Sequence, residues 1–328
     1  MTFLPSVCVL GPGPLGALLA RLVADNGNSV AWWAGPRAAV PERRSRKRGE
    51  RDVPAGEIPG AYATTDPLEA LGDAALVFLA VPAGELPALL AVVGERLTPE
   101  RLVVHAAKGL DGPQGRRPSE VLAAETSARR IGALGGPYLV AEVLEGYATT
   151  LVLASRFDEV GEAARGVLAS ERVRVQTTHD LVGVELAGAT VVALGAAAGL
   201  CAGLRLGAGA RAVLLARALA EATRLGVALG AKAETFGGPA GVGDLLVTAG
   251  DPEGLGYRFG RRVGAGEPAA AVREDCGERT EAVRALEGWA GLAARARIRV
   301  PTLEALHETL VGGAPAREII DRCLREPG

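Results

Sequence analysis

A short glycine-rich segment near the start of the chain has the residue types and spacing of a phosphate-binding turn. Gly11-Pro12-Gly13-Pro14-Leu15-Gly16 follows the apolar run Val7-Cys8-Val9-Leu10 and precedes a helix-forming stretch. In such a strand–turn–helix, the first glycine permits the tight turn, the second lets a pyrophosphate approach the backbone, and the third lets the helix pack closely on the sheet. The segment predicts dinucleotide binding by Gly11, Gly13, Pro14, Leu15 and Gly16. A structural turn that binds nothing is the alternative.

The residues after the second predicted strand bear on which dinucleotide is bound. An Asp or Glu about 20 residues past the glycines commonly binds the adenosine ribose of NAD. Trp33-Ala34-Gly35-Pro36-Arg37 contains no acid, and residues 43–51 form a basic run. Arg37 or this run would tolerate a 2′-phosphate, which favours NADP but leaves NAD open. A solvated basic loop is the other interpretation of residues 43–51.

Length and composition indicate how many domains carry this turn, what forms their cores and which partners they exclude. The chain has 328 residues, of which 48% are hydrophobic and only 4% aromatic, so we expect two domains with cores of Ala, Val and Leu. A net charge of −2 argues against general binding of nucleic acid or anionic membranes. Four scattered cysteines predict thiols in a reducing compartment and no metal site. Because no signal peptide is recognisable, we expect a cytoplasmic protein.

Strand and helix signals divide the chain near residue 178. Strand-like runs separated by longer segments predict βαβ units and a parallel sheet. These runs cover residues 6–10, 29–33, 75–81, 102–106, 131–134, 149–154 and 173–177. Beyond them only helices are predicted, at residues up to 202, 209–229, 241–246, 275–295, 302–309 and 316–325. The prediction is an α/β, doubly wound dinucleotide-binding domain over 1–178 and an all-helical domain over 179–328.

One predicted helix needs separate consideration because it is long enough to cross a membrane. Residues 186–204 contain no charged side chain. Their composition is mostly Ala and Gly, and no second such stretch exists in the sequence. We therefore predict a helix buried inside a domain and no membrane span.

Further motifs extend along most of the chain. They are Leu79-Ala80-Val81-Pro82, Lys108-Gly109-Leu110-Asp111, Gly136-Pro137, Val182-Gly183-Val184-Glu185-Leu186, Gly188-Ala189, Arg211, Arg217, Gly241-Val242-Gly243-Asp244-Leu245 and Arg258-Phe259-Gly260. Together with the glycine turn, they resemble the bacterial-type NAD(P)-dependent glycerol-3-phosphate dehydrogenase family. The resemblance implies a Rossmann domain, a helical substrate domain and a homodimer. It also implies hydride transfer between NAD or NADP and the dihydroxyacetone phosphate / glycerol 3-phosphate pair, a phosphorylated triose substrate.

The chemistry of that reaction needs a cation or proton donor at the carbonyl oxygen, where negative charge develops. In the family, one lysine is the donor, a second lysine assists, an Asp orients the donor, and an Arg-Asn pair binds the substrate phosphate. By resemblance, Lys108 is the assisting lysine and Asp244 the orienting aspartate, which makes both candidate catalytic residues. Candidate substrate contacts are Lys108, Gly136, Asp244 and Thr248. Further candidate cofactor contacts are Arg37, Pro82, Lys108, Ala141 and Arg258.

Other family positions are filled by residues that cannot do this chemistry. In a gap-free alignment, the donor lysine falls on Val191, the Asn after it on Val192, and the Arg-Asn pair on Leu255-Gly256. Loss of a positioned donor typically costs roughly 10²–10⁴ in rate. We therefore expect Val191 to lie near Lys108 and Asp244, and turnover of dihydroxyacetone phosphate to be very slow.

Two functions stay open on this sequence. One is a dehydrogenase with an altered site, in which Lys108 is the remaining cation and activity is impaired. The other is a catalytically degenerate NAD(P)-binding protein with a role in sensing or interaction. Substitutions at two more family positions, Tyr138 for Ser and Cys276 for Glu, bear on the same choice. A ketopantoate-type reductase is a more distant candidate, which the match from Gly183 to Gly260 disfavours.

Overall fold

The computed structural model describes residues 6–35, 58–276 and 281–325. Arg37 and the basic run 43–51 lie outside the described residues. The strands are β1 (Val7–Leu10), β2 (Val30–Trp33), β3 (Ala61–Thr64), β4 (Leu76–Leu79), β5 (Leu102–His105), β6 (Arg130–Gly135), β7 (Thr149–Ser155) and β8 (Val173–Thr178). The helices before residue 180 are α1 (Pro14–Asp25), α2 (Pro67–Leu71), α3 (Leu86–Val93), α4 (Pro118–Glu125), α5 (Val140–Leu144) and α6 (Asp158–Leu168).

The described strands form one sheet in the order β3-β2-β1-β4-β5-β6-β7-β8. The predicted parallel pairing is correct except between β6 and β7, which are antiparallel. The only helix between these two strands is α5, with five residues, whereas the parallel pair β7–β8 is connected through the eleven-residue helix α6, which is long enough to cross back along the sheet. Strand β3 was not predicted, because Ala61–Thr64 lacks a continuous apolar run and its Tyr62 side chain is exposed at the sheet edge.

The order of the strands determines where this sheet accepts a ligand. Strand β1 lies between β2 and β4, so the chain leaves β1 towards one edge and later returns on its other side. In open α/β sheets, ligands bind beyond the carboxyl ends of the strands at such a switch point. The glycine turn follows β1 and Pro82 follows β4, and both therefore lie at this end of the sheet.

Beyond residue 180 the described chain is helical, as predicted. The helices are α7 (Leu181–Gly203), α8 (Ala208–Ala228), α9 (Ala233–Gly237), a π-helix (Pro239–Gly243), α10 (Asp244–Ala249), α11 (Leu255–Gly264), α12 (Ala269–Cys276), α13 (Glu281–Ala296), α14 (Pro301–Leu310) and α15 (Ala316–Arg325). Helix α11 was not predicted, because six of its ten residues are Gly or Arg and obscure the four-residue apolar spacing of Leu255, Phe259 and Val263.

Helix α7 is the core of this helical part. It is the one described helix long and apolar enough to cross a membrane, and 89% of its apolar window is buried inside the protein. Its glycines allow close packing: a Cβ on Gly199 would meet the Tyr257 backbone oxygen, and a Cβ on Gly260 of α11 would meet the Ala196 backbone oxygen. Small residues rather than aromatic ones therefore fill the space between α7 and α11.

The contacts divide the chain into two compact units. Unit 1 comprises Met1–Ala107 and Ser119–Leu181, and unit 2 comprises Lys108–Pro118 and Val182–Gly328. The predicted boundary between residues 178 and 179 lies three residues from the division between 181 and 182. No pattern in the sequence indicated that Lys108–Pro118, which follows β5 of unit 1, packs with the helices of unit 2.

Candidate functional site

The glycine turn of unit 1 has the shape that a pyrophosphate requires. A Cβ on Gly11 would meet the Ala80 backbone oxygen, and a Cβ on Gly16 would meet the Gly11 backbone oxygen. These two glycines let the turn and helix α1 pack against the sheet. Gly13 differs, because an added Cβ there would meet nothing within 4 Å. The turn is therefore closed towards the protein and open at Gly13, where a ligand approaches the backbone in dinucleotide-binding turns.

Helix α1 begins directly at this opening. Its N-cap is Gly13, which has no side chain to bind the first N–H groups, and Pro14 occupies the first turn. The indole Nε1 of Trp32 donates a hydrogen bond of 2.8 Å to the Gly11 oxygen and so fixes the turn on β2. Uncapped N–H groups and the positive end of the helix dipole fit a bound phosphate. The residues present thus fit a dinucleotide.

The other predicted residues of unit 1 follow β4 and β6. Pro82 precedes a short helical turn after β4. Gly136 is buried with a φ of +112°, and an added Cβ would lie 2.8 Å from the Thr150 oxygen, so the turn after β6 needs glycine. Ala141 is exposed on α5. Their predicted ligand contacts stay predictions.

In unit 2 the structure brings three predicted residues together. The Lys108 Nζ lies 2.6 Å from Asp244 Oδ2, and the Thr248 hydroxyl donates to Asp244 Oδ1 at 3.4 Å. Asp244 is 1% exposed, whereas the Lys108 side chain keeps 19% of its surface exposed. Burial raises the pKa of the Asp244 carboxyl, and the nearby Lys108 ammonium and Thr248 hydroxyl oppose that shift. The arrangement presents one cation held by a buried acid.

The backbone around this pair explains its position. Asp244 is the first residue of α10, directly after the π-helix Pro239–Gly243. A Cβ on Gly241 would meet the Phe236 oxygen, so the turn into α10 needs glycine there. A Cβ on Gly188 of α7 would lie 3.5 Å from Lys108 Cγ, which shows that the lysine stem lies against α7. Arg258 is exposed on α11, and its predicted cofactor contact stays a prediction.

Comparison with known proteins now adds to this geometry. Models of the NAD-dependent glycerol-3-phosphate dehydrogenase N-terminus and C-terminus match residues 6–160 and 180–321. The glycerol-3-phosphate dehydrogenase [NAD(P)+] of Corynebacterium urealyticum is 34% identical over 326 residues, covering 97% of each chain. The chain belongs to the NAD(P)-dependent glycerol-3-phosphate dehydrogenase family.

Solved structures agree with this assignment. The glycerol-3-phosphate dehydrogenase of Coxiella burnetii superposes with a TM-score of 0.85 at 26% identity, covering 98% of this chain and 99% of that one. A ketopantoate reductase from Ralstonia eutropha reaches a TM-score of 0.58 at 16% identity, covering 97% and 99%, which shows a shared fold alone. The predicted Rossmann-type sheet followed by a helical domain and the resemblance to the dehydrogenase family are confirmed, as is NAD or NADP as the cofactor class.

Within this glycerol-3-phosphate dehydrogenase fold, Val191 occupies a defined face of α7. It lies between Gly188, which approaches Lys108, and Gly195, whose added Cβ would lie 2.7 Å from Thr248 Cγ2. Residues three, four and seven apart share one helix face, so Val191 and Val192 lie on the face that carries both contacts. Val191 is 1% exposed. Val191 also belongs to the buried apolar core of the helical unit. Its alignment with the donor lysine stays a prediction.

Sequence reasoning missed one buried ion pair in unit 2. Arg117 Nη1 lies 3.0 Å from Glu185 Oε2, with 17% of the arginine side chain and none of the glutamate side chain exposed. A signal was present in the sequence, because Glu185 is the acid that directly precedes the uncharged run 186–204. An acid on a core helix needs a cation, and the sequence did not indicate which of 33 arginines supplies it.

Proposed function

We propose that this family member binds NAD(P) at the glycine turn and uses Lys108 as the cation for a substrate carbonyl oxygen, with impaired or altered turnover of dihydroxyacetone phosphate. The observation that carries this proposal is the 2.6 Å pair between Lys108 Nζ and Asp244 Oδ2. As the family resemblance implies, we also expect a homodimer, a cytoplasmic location and a small phosphorylated triose as the reference substrate.

The chemistry assigned to each residue follows from charge. When bound, NAD(P)H supplies the hydride. As a hydride reaches the carbonyl carbon, negative charge develops on oxygen, and the Lys108 ammonium stabilises it or donates a proton. Asp244 holds that ammonium in place, and Thr248 in turn donates a hydrogen bond to Asp244. The buried Asp244 carboxylate orients the Lys108 ammonium, while part of the lysine side chain stays exposed.

The expected impairment follows from the residues that the gap-free alignment assigns to the donor and phosphate-binding positions. Val191 offers no proton under any rotamer, and Leu255 and Gly256 offer no cation for a phosphate dianion. Missing donors of this kind typically cost roughly 10²–10⁴ in rate each. The full burial of Val191 favours a second candidate function, in which the protein binds NAD(P) without turnover and acts in sensing or interaction.

Cofactor oxidation measured with dihydroxyacetone phosphate tests the proposal. NADH and NADPH are each mixed with the purified protein, and absorbance is followed beside direct measurement of cofactor binding. We expect tight cofactor binding and very slow turnover in the natural protein. In Val191→Lys we expect turnover to rise by roughly 10²-fold or more, because a donor is restored.

Val191→Met is the matched control, since it adds length at the same buried position without a charge. Brisk turnover by the natural protein would overturn the expected impairment. Folded Val191→Lys that binds NAD(P)H but gains no activity, while Val191→Met behaves alike, would overturn the placement of Val191 and favour the binding function.

A further inference from the structure

The segment Lys108–Pro118 carries the candidate catalytic lysine and is held on unit 2 at both ends. At its start, Lys108 binds Asp244 of α10 at 2.6 Å. Near its end, Arg117 binds Glu185 of α7 at 3.0 Å. All four residues belong to unit 2, so the two ion pairs fix one short segment to the helices that it contacts.

The middle of the segment is closed by its own hydrogen bonds. The Asp111 N–H donates to the Arg116 oxygen at 2.8 Å, and the Arg116 N–H donates back to the Asp111 oxygen at 3.0 Å. The Arg116 guanidinium also donates to Asp111 Oδ2 at 3.1 Å. A loop closed in this way has few ways to deform, so a displacement at Arg117 is carried towards Lys108.

Glycines on two helices let the segment lie directly on the backbone of unit 2. On α13, a Cβ at Gly288 would be 2.7 Å from Leu110 Cβ, and a Cβ at Gly291 would meet the Pro113 oxygen. On α7, the Lys108 stem lies beside Gly188, where an added Cβ would be in ordinary van der Waals contact with it at 3.5 Å. Glu185 lies three residues before Gly188 and therefore on the same side of α7. The partner of Arg117 and the contact of Lys108 are thus adjacent on one helix.

We propose that the buried Arg117–Glu185 ion pair is a positioning device for Lys108, which sets where the segment Lys108–Pro118 lies along α7 and so where the lysine ammonium is presented. A fully buried carboxylate is costly without a cation, so Glu185 retains Arg117 at one place. Asp244 then fixes the ammonium, whereas Arg117 and Glu185 fix the backbone that carries it. The inference rests on the proposed role of Lys108 as the catalytic cation.

The test measures how accessible the Lys108 amine is to a reagent, and it needs no turnover. The chain has three lysines, Lys47, Lys108 and Lys232, so reductive methylation followed by peptide mass spectrometry gives a separate rate for each. In Glu185→Gln and in Arg117→Ala we expect methylation of Lys108 to accelerate several-fold relative to Lys232, because the lysine leaves its fixed place. The double variant should methylate no faster than the single ones, since both remove the same interaction.

Two controls separate positioning from general loosening. Glu221 is a buried carboxylate of unit 2 that accepts hydrogen bonds from the N–H groups of Thr302 and Leu303, and Glu221→Gln should lower stability while Lys108 methylates at its normal rate. Arg322→Ala removes an exposed arginine of unit 2 outside the segment, whose ion pair with Glu308 leaves 53% of the arginine side chain exposed, and should also leave that rate unchanged. Arg117→Lys keeps the charge and should restore a rate near that of the natural protein.

Kinetics provide the second measurement. In the Val191→Lys background, Glu185→Gln should lower kcat by roughly 10- to 100-fold with little change in the KM for NAD(P)H, because misplacing a reacting group by about 1 Å costs up to 10²-fold. Unchanged methylation of Lys108 in folded Glu185→Gln and Arg117→Ala would overturn the positioning role. Altered methylation with no catalysis in any variant would instead contradict the proposed function and leave the positioning role standing.

Discussion

Replacement of Asp244 by Asn tests whether the Lys108–Asp244 ion pair serves function or stability. Removing one partner of a buried structural ion pair usually destabilises a protein by about 3–5 kcal/mol. The structure predicts a different outcome here. Burial raises the pKa of the Asp244 carboxyl even though the Lys108 ammonium lies 2.6 Å from it, so the folded protein disfavours the ionised form relative to the unfolded chain.

The sign of the pH dependence follows from linkage. An unfolded Asp ionises near its usual pKa of about 3.9, whereas the folded Asp244 ionises at a higher pH. Its contribution to stability is therefore complete below the unfolded pKa and is lost as pH rises through the folded pKa. An amide does not titrate. We expect Asp244→Asn to match the natural protein at acid pH, and at neutral pH to be more stable or within about 1 kcal/mol.

Urea unfolding of both proteins from acid to neutral pH measures this difference. Asp25→Asn serves as the control, because its ion pair with Arg21 is exposed and worth about 0–1 kcal/mol. In the Val191→Lys background, Asp244→Asn should still lower kcat by roughly 10²-fold or more, since the ammonium loses its orienting anion. A loss of 3 kcal/mol or more at neutral pH, as for a structural pair, would refute the reasoning.

Two further predictions concern the glycine turn. Gly13→Ala should keep the free energy of unfolding within about 0.5 kcal/mol of that of the natural protein. It should weaken NAD(P)H binding at least about tenfold, because the new Cβ occupies the open side of the turn. Gly16→Ala should instead destabilise the fold by about 1–3 kcal/mol, because its Cβ meets the Gly11 oxygen. Equal effects of the two substitutions on urea unfolding and on cofactor titration would contradict this assignment. Trp32→Phe should cost about 1 kcal/mol or more and weaken cofactor binding, because the Gly11 oxygen loses its indole partner; unchanged binding in an equally destabilised variant would show that this hydrogen bond does not shape the turn.

The sequence predicted the features that depend on local pattern. Apolar runs, and in β8 an alternation of apolar and polar residues, marked seven of the eight described strands, and glycine spacing located the turn before α1. Strand β3 was not predicted because Ala61–Thr64 is short and partly exposed at a sheet edge. Its strand conformation depends on backbone pairing with β2 and not on a run of apolar residues. The antiparallel β6–β7 pair was not predicted, because the sequence did not show that the connection between these strands contains only the five-residue helix α5.

In the candidate site, the sequence predicted only the residues that match motifs of the dehydrogenase family. Lys108 and Asp244 were expected to act together, and the structure places them in contact. The Arg117–Glu185 pair was not expected, because residues 68 positions apart become neighbours through packing alone. The same limit applies to the assignment of Lys108–Pro118 to the helical unit, since that segment follows a strand of the sheet and its contacts with the helices join residues far apart in the sequence.

That assignment has a consequence for any attempt to recombine this protein with a relative. The chain passes between its two units at residues 107–108, 118–119 and 181–182, so a chimera joined once near residue 178 would take Lys108 and the Asp244 carboxylate that binds it from different parents. A graft that exchanges the nucleotide-binding part while keeping the acid–base pair intact needs three junctions. The eleven residues Lys108–Pro118 and the helices of unit 2 must therefore come from the same parent.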